Sequence, residues 1–414
     1  MQAAKPIKKT LTRNVASEAP LILTINGGSS SIKFALFSAA SPLRRVFGGQ
    51  VERIGVPGTL LTATRENSSE LDKHPIPAKT FHDGIQAALT YLRQRIGKST
   101  VSAIGHRIVK GGVHLVDHQL ITADVIAKLR RMQPLDLDHL PREIALIDGF
   151  SEGFQGIPQI ACFDTTFHKD LPHIAQLLPI PRRYLNAGVR RFGFHGLSYN
   201  YLMSQLAVVA GAEVANGRLI LAHLGSGASM AAVHNGKPID TTMAFTPTSG
   251  LVMGTRPGDL DPGLMVYLMK DQKLSTDDMD KFISQKCGLI GVSETSSDMR
   301  DLLNTRATDS RAADAVELFC YQAKKHLCTM TSALGGVDTV VFAGGIGERA
   351  PNVRAGICEG LDFLGLQLDS SKNVRGCDVI SDDPSRVEVR IIATDEEIVI
   401  ARIVCSILHY SGAH

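Results

Sequence analysis

The sequence predicts an α/β protein made of two related domains, and three observations lead to this prediction. The chain has 414 residues, which is too many for one ordinary hydrophobic core and corresponds to two domains. Strand-like apolar runs and segments of helical periodicity follow one another along it. One supersecondary unit, a strand followed by a glycine-serine turn and a second strand, occurs at 21–37 and again at 219–236. An internal repeat of this kind indicates a duplicated fold.

Both turns have the composition of a phosphate-binding loop. The first, NGGSSS at 26–31, combines two glycines that let the backbone approach a ligand with three hydroxyls, and Lys33 follows two residues later. For this turn alone, a polar hairpin without a ligand is an equal alternative. The second turn, GSGAS at 225–229, repeats the pattern and favours phosphate binding. A nucleotide clamped between the two halves is the natural consequence.

Composition excludes several other classes of protein. The net charge of +3 is too weak to indicate binding of nucleic acid or of an acidic membrane surface. Seven scattered cysteines without a CxxC pair predict a reducing, cytoplasmic location and neither a disulfide framework nor a zinc site. No apolar run approaches the roughly 18 residues of a membrane span, and residues 1–20 are predicted to be a disordered basic tail rather than a signal peptide.

The other elements are predicted in chain order from periodicity and from turn residues. The long polar segment at 240–262 has the character of a functional loop. Gly345-x-Gly347-x-x-Ala350 imitates a dinucleotide fingerprint but serves equally well for a nucleotide lying over a strand-to-helix turn. We predict strands at 46–64, 101–112, 157–164, 338–348 and 387–393. We predict helices at 81–96, 123–132 (ended by prolines at 134–141), 263–270, 276–284 and 311–334, a further helix that begins at about 351, and a last helix that follows 394–397 and ends at 408.

Four residues stand where site chemistry is expected. Arg107 follows an apolar strand beside glycines and can bind an anion bidentately, although surface pairing with Asp117 also explains it. Asp164 ends a strand, where α/β folds place catalytic or magnesium-associated carboxylates, or it caps a helix. His195 is either a core histidine or a ligand. Arg256, in the long polar loop, is a second anion clamp.

This inventory matches phosphoryl transfer. The reaction needs hydrogen-bond donors around an anionic transition state and magnesium held by carboxylates, and it depends on positioning rather than covalent chemistry. The sequence shows no Ser-His-Asp elbow, no HExxH ligand set and no Schiff-base signature. The residues therefore predict a nucleotide-dependent phosphotransferase.

The motifs of the chain, in order from residue 21 to the C-terminus, are INGGSSSIKF, GHRIVKGG, FDTTFH, RRFGFHG, HLGSGAS, FTPTSGLVMGTRPGDLDP, SSDMRDL, FAGGIGE, VRAGICEGLDFLGL and TDEE. Taken together and in this order, they resemble the acetate kinase family. The resemblance implies a duplicated ribonuclease H-like fold of the actin and hexokinase type, with a nucleotide cleft between its domains. It places the N-terminal domain at 21–164 plus about 397–414, and a nucleotide-binding, dimerising domain at 165–396. It also implies a homodimer that converts ATP and a short carboxylate into ADP and an acyl phosphate.

The resemblance assigns roles by position. Asn26 and Glu396 would hold Mg²⁺ or Mn²⁺, Arg107 and Arg256 would bind the substrate carboxylate and the transferring phosphoryl group, His195 would contact the same oxygens, and Asp164 would orient the site. Residues lining the nucleotide and its phosphates would be Ser29, Ser31, Lys33, His223, Gly225, Ser226, Gly227, Asp298, Met299, Arg300, Gly345, Ile346 and Gly347. The acyl pocket would be Val109, Leu135, Phe194 and Pro247. No general base is needed, because a carboxylate is already ionised at neutral pH.

The sequence departs from the family pattern at four positions. Asp136 stands where a histidine is expected after Pro134 and Leu135, and a carboxylate there would repel phosphate unless a cation compensates it. Ser226 replaces an asparagine, while Tyr199 and Pro257 replace a histidine and a serine. Three hypotheses follow: an acetate kinase, the same chemistry on propionate or butyrate, because one methylene in the pocket is worth only about 1 to 3 kcal/mol, or a non-catalytic nucleotide or acyl-phosphate binding protein.

Overall fold

The computed structural model describes residues 19–28, 30–65, 71–97, 100–136 and 138–413, so that most of the predicted tail lies outside the described residues. The chain divides into two compact units. Unit 1 comprises the chain up to Phe163 and resumes at Glu396, and unit 2 comprises Asp164–Asp395.

The elements follow in chain order. The strands are β1 Leu21–Gly27, β2 Ile32–Ser38, β3 Arg44–Glu52, β4 Leu60–Arg65, β5 Leu71–Pro75, β6 Val101–Ile108, β7 Gln119–Leu120, β8 Gln159–Phe163, β9 Arg218–Leu224, β10 Ala228–His234, β11 Lys237–Thr241, β12 Thr339–Ala343 and β13 Glu388–Ile391. The helices are α1 Phe81–Ile96, α2 Ala123–Met132, α3 Leu140–Gly153, α4 His173–Gln176, α5 Arg182–Asn186, α6 Gly196–Ala210, α7 Ala212–Ala215, α8 Pro262–Asp271, α9 Thr276–Gln285, α10 Gly288–Ser293, α11 Met299–Thr305, α12 Ser310–Leu334, α13 Gly344–Arg349, α14 Pro351–Cys358, α15 Ser370–Arg375 and α16 Glu396–Leu408.

Unit 1 is built on a mixed sheet with the strand order β5-β4-β3-β2-β1-β6-β8-β7. The strands β1, β2 and β3 are antiparallel neighbours, whereas β6 runs parallel to β1 and β8 runs parallel to β6. One face packs on α1 and α3 in a core that includes Phe34, Leu89 and Phe150. The carboxyl ends of β1, β6 and β8 therefore lie at one edge of the sheet.

Unit 2 repeats this arrangement with five strands in the order β11-β10-β9-β12-β13. Here too an antiparallel trio, β9, β10 and β11, is followed by two parallel strands, β12 beside β9 and β13 beside β12. With β4, β5 and β7 of unit 1 left aside, the two sheets have the same strand order, since β3-β2-β1-β6-β8 corresponds to β11-β10-β9-β12-β13. The predicted duplication of an α/β unit is confirmed.

Several elements differ from the sequence prediction, among them α3 and α6, which were not predicted, and two of the differences have a clear local reason. Pro141 was expected to belong to a break between helices, yet it lies in the first turn of α3, where a proline's fixed φ and missing N–H are tolerated. The predicted strand 338–348 ends at Ala343, because the following glycines belong to α13. By contrast, α1 spans Phe81–Ile96 and ends before Gly97, as predicted, and the structure adds that it begins at a capping box of Thr80 and Asp83.

Among the described residues, none of the helices combines the length and apolar character needed to cross a membrane.

Candidate active site

The first group of candidate residues lies where the parallel strands β1 and β6 end. β1 carries Asn26, β6 carries Arg107, and α16 begins with Glu396. The Asn26 amide donates from Nδ2 to Glu396 Oε2 at 2.8 Å, and Arg107 Nη1 donates to Asn26 Oδ1 at 3.1 Å. Arg107 Nε also lies 3.7 Å from Glu396 Oε2, and the arginine side chain is only 16% exposed. Three predicted residues therefore form one cluster at the sheet edge where α/β folds bind ligands, and Arg107 is not an exposed surface arginine.

The first hairpin turn lies beside this cluster. The Gly28 amide donates to the Ser31 carbonyl at 2.8 Å and closes the turn, while Ser29 lies outside the described residues. Lys33 is exposed and stands directly opposite Asn26 in the antiparallel register of β1 and β2, so that both side chains project from the same face. A cavity of about 270 Å³ on this face is lined by Lys33, Arg45, Gln50, Thr62, Thr64 and Glu397 among others.

The predicted acyl-pocket residues of unit 1 follow β6. Val109 is buried, and its amide donates to Glu143 Oε1 at 2.9 Å, so the backbone is fixed two residues after Arg107. Leu135 ends the short 3₁₀ turn Gln133–Leu135, but its side chain lies outside what the structure describes. Val109 is therefore the one predicted pocket residue of unit 1 whose side chain the structure describes.

Asp136, the first departure from the family pattern, has cationic neighbours. It is buried, and its Oδ1 accepts from the His139 backbone at 3.1 Å and lies 2.9 Å from His139 Nδ1. Burial raises the pKa of Asp136, but the hydrogen bonds and charge of His139, with the charge of Lys110, outweigh burial and hold that pKa below its ordinary value. Within unit 1 the Asp136 carboxylate therefore has a hydrogen-bond partner in His139 and an opposing charge in Lys110, which reduces the repulsion that an uncompensated carboxylate would exert on phosphate.

In unit 2, His195 is the centre of a hydrogen-bonded chain. Its Nδ1 lies 2.7 Å from Ser229 Oγ, and Tyr199 Oη lies 2.5 Å from the same hydroxyl. If Tyr199 donates to Ser229 and Ser229 donates to Nδ1, then Nδ1 is the acceptor and the ring carries its proton on Nε2. The ring stacks on His223 with centroids 4.3 Å apart, and His223 Nδ1 in turn lies 2.8 Å from Ser198 Oγ.

The conformation of His195 favours a role beyond core packing. Its φ of +57° is unusual for a residue other than glycine, and such strain clusters at functional sites. Gly196 follows it because a Cβ there would lie 2.0 Å from the Asp164 carbonyl oxygen. Asp164 itself is buried and opens the 3₁₀ segment Asp164–His168 directly after β8. Phe194, a predicted pocket residue, is buried and accepts at its carbonyl from His168 Nε2 at 2.9 Å.

His195 and Arg256 converge on the second glycine-serine turn. A Cβ built on Gly227 would lie 2.9 Å from Arg256 Nη2 and 3.3 Å from His195 Nε2, so glycine leaves open the space that both donors face. Arg256 Nη1 donates to the Pro247 carbonyl at 2.6 Å, and the Gly254 amide donates to the Ser226 carbonyl at 2.9 Å. The long loop is therefore fixed against the turn, with a predicted pocket residue and a predicted anion clamp in contact.

The predicted nucleotide residues of unit 2 lie at two places. β12 runs parallel to β9, with Ala343 paired to His223, so the glycines of α13 follow beside the second turn. Gly345, Ile346 and Gly347 form the body of α13, and Glu348 Oε1 accepts from the amides of Gly344 and Thr394 at 3.0 and 3.1 Å.

The other nucleotide residues begin α11. Asp298 is its N-cap and accepts from the Arg300 amide at 2.9 Å, and the two side chains form an ion pair at 2.5 Å. The hydrogen bond from the Arg300 side chain, above all, lowers the pKa of Asp298. Met299 between them is buried. These contacts do not themselves join Asp298 to α13.

Sequence reasoning missed several residues that hold the site. Ser229 and Glu348 belong to the motifs HLGSGAS and FAGGIGE, so their positions were visible but their partners were not. Lys110 and His139 gave no signal, because their connection to Asp136 depends on a packed interior. Arg354, which is buried and bonded to the carbonyls of α13, was also missed.

The fold and these side chains define a class of protein. Each unit places a predicted anion-binding arginine, Arg107 or Arg256, beside a glycine-rich hairpin, and unit 1 adds the side-chain oxygens of Asn26 and Glu396. This set of groups is typical of a nucleotide-dependent phosphotransferase, which positions phosphoryl groups and neutralises their charge.

Comparison with known proteins identifies the family. The model of the acetokinase family matches residues 21–402. An acetate kinase of Rhodopseudomonas palustris is 40% identical over 388 residues, which cover 92% of this chain and 97% of the relative. The crystal structure of Porphyromonas gingivalis acetate kinase superposes with a TM-score of 0.82 at 35% identity, covering 94% of this chain and 100% of the other. A propionate kinase from Francisella tularensis superposes with a TM-score of 0.83 at 32% identity, covering 93% and 98%. The chain belongs to the acetokinase family.

Proposed function

We propose that this phosphotransferase is an acetate kinase. A carboxylate oxygen of acetate attacks the γ-phosphorus of ATP, the bond from that phosphorus to the β,γ-bridging oxygen breaks, and its electron pair leaves with ADP. Acetyl phosphate is the other product, and the reaction is reversible. The carboxylate is ionised at neutral pH, so the residues need only bind, orient and neutralise.

The observation that carries this proposal is the cluster of Asn26, Arg107 and Glu396. Arg107 is held by two neighbours rather than left mobile, so its guanidinium is oriented before a substrate arrives. A planar guanidinium matches a carboxylate or a phosphoryl group with two parallel hydrogen bonds. We assign to Arg107 the binding of acetate and of the transferring phosphoryl group.

Unit 2 contributes the second set of donors. His195 Nε2 and Arg256 Nη2 both face the space above Gly227, which suits two donors sharing the oxygens of one phosphoryl group. Asp164 orients this region through its position beside Gly196. The turn from His223 to Gly227 and the residues Lys33 and Ser31 of unit 1 line the phosphates, and Asp298–Arg300 with Gly345–Gly347 hold the adenosine.

Magnesium is the metal that these residues fit. Asn26, Glu396 and Glu397 bring an amide and two carboxylates within hydrogen-bonding distance of each other, and these are the hard oxygen ligands that Mg²⁺ prefers, with Mn²⁺ as an alternative. No group of three or more His, Cys, Asp or Glu suited to a metal occurs among the described residues, which agrees with an ion held by few carboxylates, water and substrate phosphates. When bound, Mg²⁺ would neutralise charge on the phosphates of ATP. Asn26 and Glu396 would hold it, directly or through water.

We assign a short acyl chain to the apolar residues that each unit places near its arginine. In unit 1, Val109 is buried two residues after Arg107, and in unit 2, Phe194 is buried and the Pro247 carbonyl accepts from Arg256. Propionate is a second candidate substrate, because the similar Francisella structure is named a propionate kinase. Butyrate needs still more room.

We also propose a homodimer formed through unit 2. Helix α8 has no buried residue, and the apolar side chains of Leu264, Val266 and Tyr267 are exposed on it, so this face fits a second copy of the chain. Sedimentation measures the assembly directly.

The cysteines support a cytoplasmic location. All seven lie in described residues and are free thiols, as expected for a protein of the reducing cytoplasm.

The experiment that tests the activity traps the acyl phosphate with hydroxylamine. ATP and Mg²⁺ are supplied with acetate, propionate or butyrate, and Arg107→Ala is compared with Arg131→Ala, which removes an exposed arginine of the same unit. We expect the highest kcat/KM on acetate, a loss of about 10³ to 10⁵ in kcat for Arg107→Ala, and normal activity for Arg131→Ala. Absence of turnover on all three acids by protein that still binds ADP would refute the proposal.

A further inference from the structure

We propose that Arg354 is a positioning residue for the nucleotide, acting through the backbone of α13. The inference rests on the proposed function, because that function assigns the adenosine to Gly345–Gly347. Arg354 lies on α14 and is 1% exposed. It is among the largest fully buried side chains of the described chain.

The hydrogen bonds of Arg354 connect three helices. Nη1 donates to the carbonyls of Gly347 and Glu348 at 2.8 and 3.0 Å. Nε donates to Asn373 Oδ1 and Nη2 to the Asn373 carbonyl, both at 2.8 Å. Asn373, on α15, is itself fixed by a bond from Nδ2 to the Pro351 carbonyl at 2.9 Å. The guanidinium therefore bridges α15 to the last turn of α13.

This use of an arginine is unusual energetically. A buried cation is normally paired with a carboxylate, yet among the described residues no carboxylate lies within ion-pair distance of Arg354. Neutral carbonyl and amide oxygens satisfy it instead. Since four of its five N–H donors are occupied by protein acceptors, Arg354 is not equipped to bind substrate. The energetic cost of burying Arg354 is better explained by the fixed arrangement of α13 and α15 that its hydrogen bonds impose.

The segment that Arg354 holds needs such support. α13 has six residues, three of them glycine, so it has little side-chain packing and a high entropic cost of ordering. Carbonyls in a last helical turn lack intrahelical partners, and Arg354 supplies them. At the other end of α13, the Glu348 carboxylate accepts from the Gly344 and Thr394 amides. The segment Gly345–Gly347 is thus fixed at both ends, and Arg354 supplies the hydrogen bonds at its C-terminal end.

The test measures ADP binding by calorimetry together with steady-state kinetics. For Arg354→Met we expect the Kd of ADP and the KM of ATP to rise about tenfold to a hundredfold, with the KM of acetate within about twofold of wild type. Arg354→Lys should recover only part of the loss, because an ammonium cannot bridge both pairs of acceptors. Hydrogen exchange should accelerate in peptides covering 344–348 more than in those covering β9 and β10.

Arg218→Met is the matched control. Arg218 pairs with Asp338 at 2.5 Å where β9 and β12 begin, at the opposite edge of the same sheet from the nucleotide turns. We expect this variant to bind ADP like wild type. Asn373→Ala, which removes one acceptor but keeps the arginine, should weaken ADP binding less than Arg354→Met and provides a milder variant if the latter fails to fold.

Folded Arg354→Lys and Asn373→Ala variants that bind ADP within about twofold of wild type would overturn the inference, as would an equal rise in the KM of ATP and acetate. Because ADP binding needs no turnover, the two proposals fail separately. Wild-type protein that binds ADP but phosphorylates no acid refutes the acetate kinase proposal and leaves the Arg354 comparison intact. Wild-type protein that does not bind ADP overturns both.

Discussion

Lys110 offers a test of the electrostatics behind the acyl pocket. It follows Val109 directly after β6 and is 1% exposed. Burial lowers the pKa of its ammonium from 10.5 to about 8, although the charge of Asp136 opposes the shift. The perturbation we consider is Lys110→Met, which keeps the chain length and removes the titrating group.

The sign of the effect follows from proton binding. Between about pH 8 and pH 10.5 the unfolded chain keeps the lysine proton while the folded chain releases it, so the free energy of unfolding rises with pH in this window. One bound proton changes the free energy of unfolding by about 1.4 kcal/mol per pH unit, so wild type should gain on the order of 1 kcal/mol between about pH 7 and about pH 9. The difference between the folded pKa of about 8 and the ordinary value of 10.5 corresponds to roughly 3 kcal/mol, fully present above pH 10.5 and lost as the pH falls to 8.

The assay is urea unfolding of wild type and Lys110→Met at both pH values. The difference in the free energy of unfolding between the two proteins should change by on the order of 1 kcal/mol between the two pH values, because groups common to both cancel. Subtracting the difference measured for Lys79→Met, an exposed lysine of the same unit, removes the general effect of losing one positive charge. A difference in the free energy of unfolding that is the same at both pH values would contradict the lowered pKa of Lys110, and with it the view that Lys110 is a buried cation close to Asp136.

Two further predictions concern the site itself. His195→Ala should lower kcat by about 10² to 10³ with little change in ADP affinity, because it removes a donor directed at the transferring phosphoryl group. Ser229→Ala should lower kcat less, because it removes only the hydrogen bond that orients the imidazole ring. Steady-state kinetics measure kcat and calorimetry measures ADP affinity, and equal losses of kcat in the two variants would argue against Nε2 as the active nitrogen. Glu396→Gln should raise the Mg²⁺ concentration for half-maximal activity about tenfold to a hundredfold, since it removes a metal-binding charge and weakens the ion pair with Arg107. An unchanged magnesium titration would show that Glu396 does not belong to the metal site.

The local elements were predictable where one signal dominated. Both hairpins follow from apolar runs interrupted by glycine and serine, and α1 follows from its capping residues and periodicity. α3 was missed because Pro141 serves equally well as a helix breaker and as a first-turn residue, and only the packing of Leu146 and Phe150 decides between them. Sequence periodicity carries no information about such packing.

The site was predictable as a set of residue types and less so as a geometry. Arg107 and Asn26 are 81 residues apart, and their contact depends on β6 pairing in parallel with β1. Periodicity predicts both strands but not their order, so the surface alternative for Arg107 could not be rejected beforehand. The same holds for His195 and Ser229, which meet because α6 begins against the β9–β10 hairpin.

The departures from the family pattern show why single substitutions are poor guides to lost function. Asp136, taken alone, places a negative charge where phosphate is expected, but Lys110 and His139 compensate it. Tyr199, taken alone, replaces an ionisable ring, but its hydroxyl contacts the Ser229 hydroxyl that holds His195, and burial raises its pKa so that it remains a neutral donor. In both cases the altered residue belongs to a hydrogen-bonded group of side chains, so the effect of the substitution on function depends on the whole group rather than on the single residue.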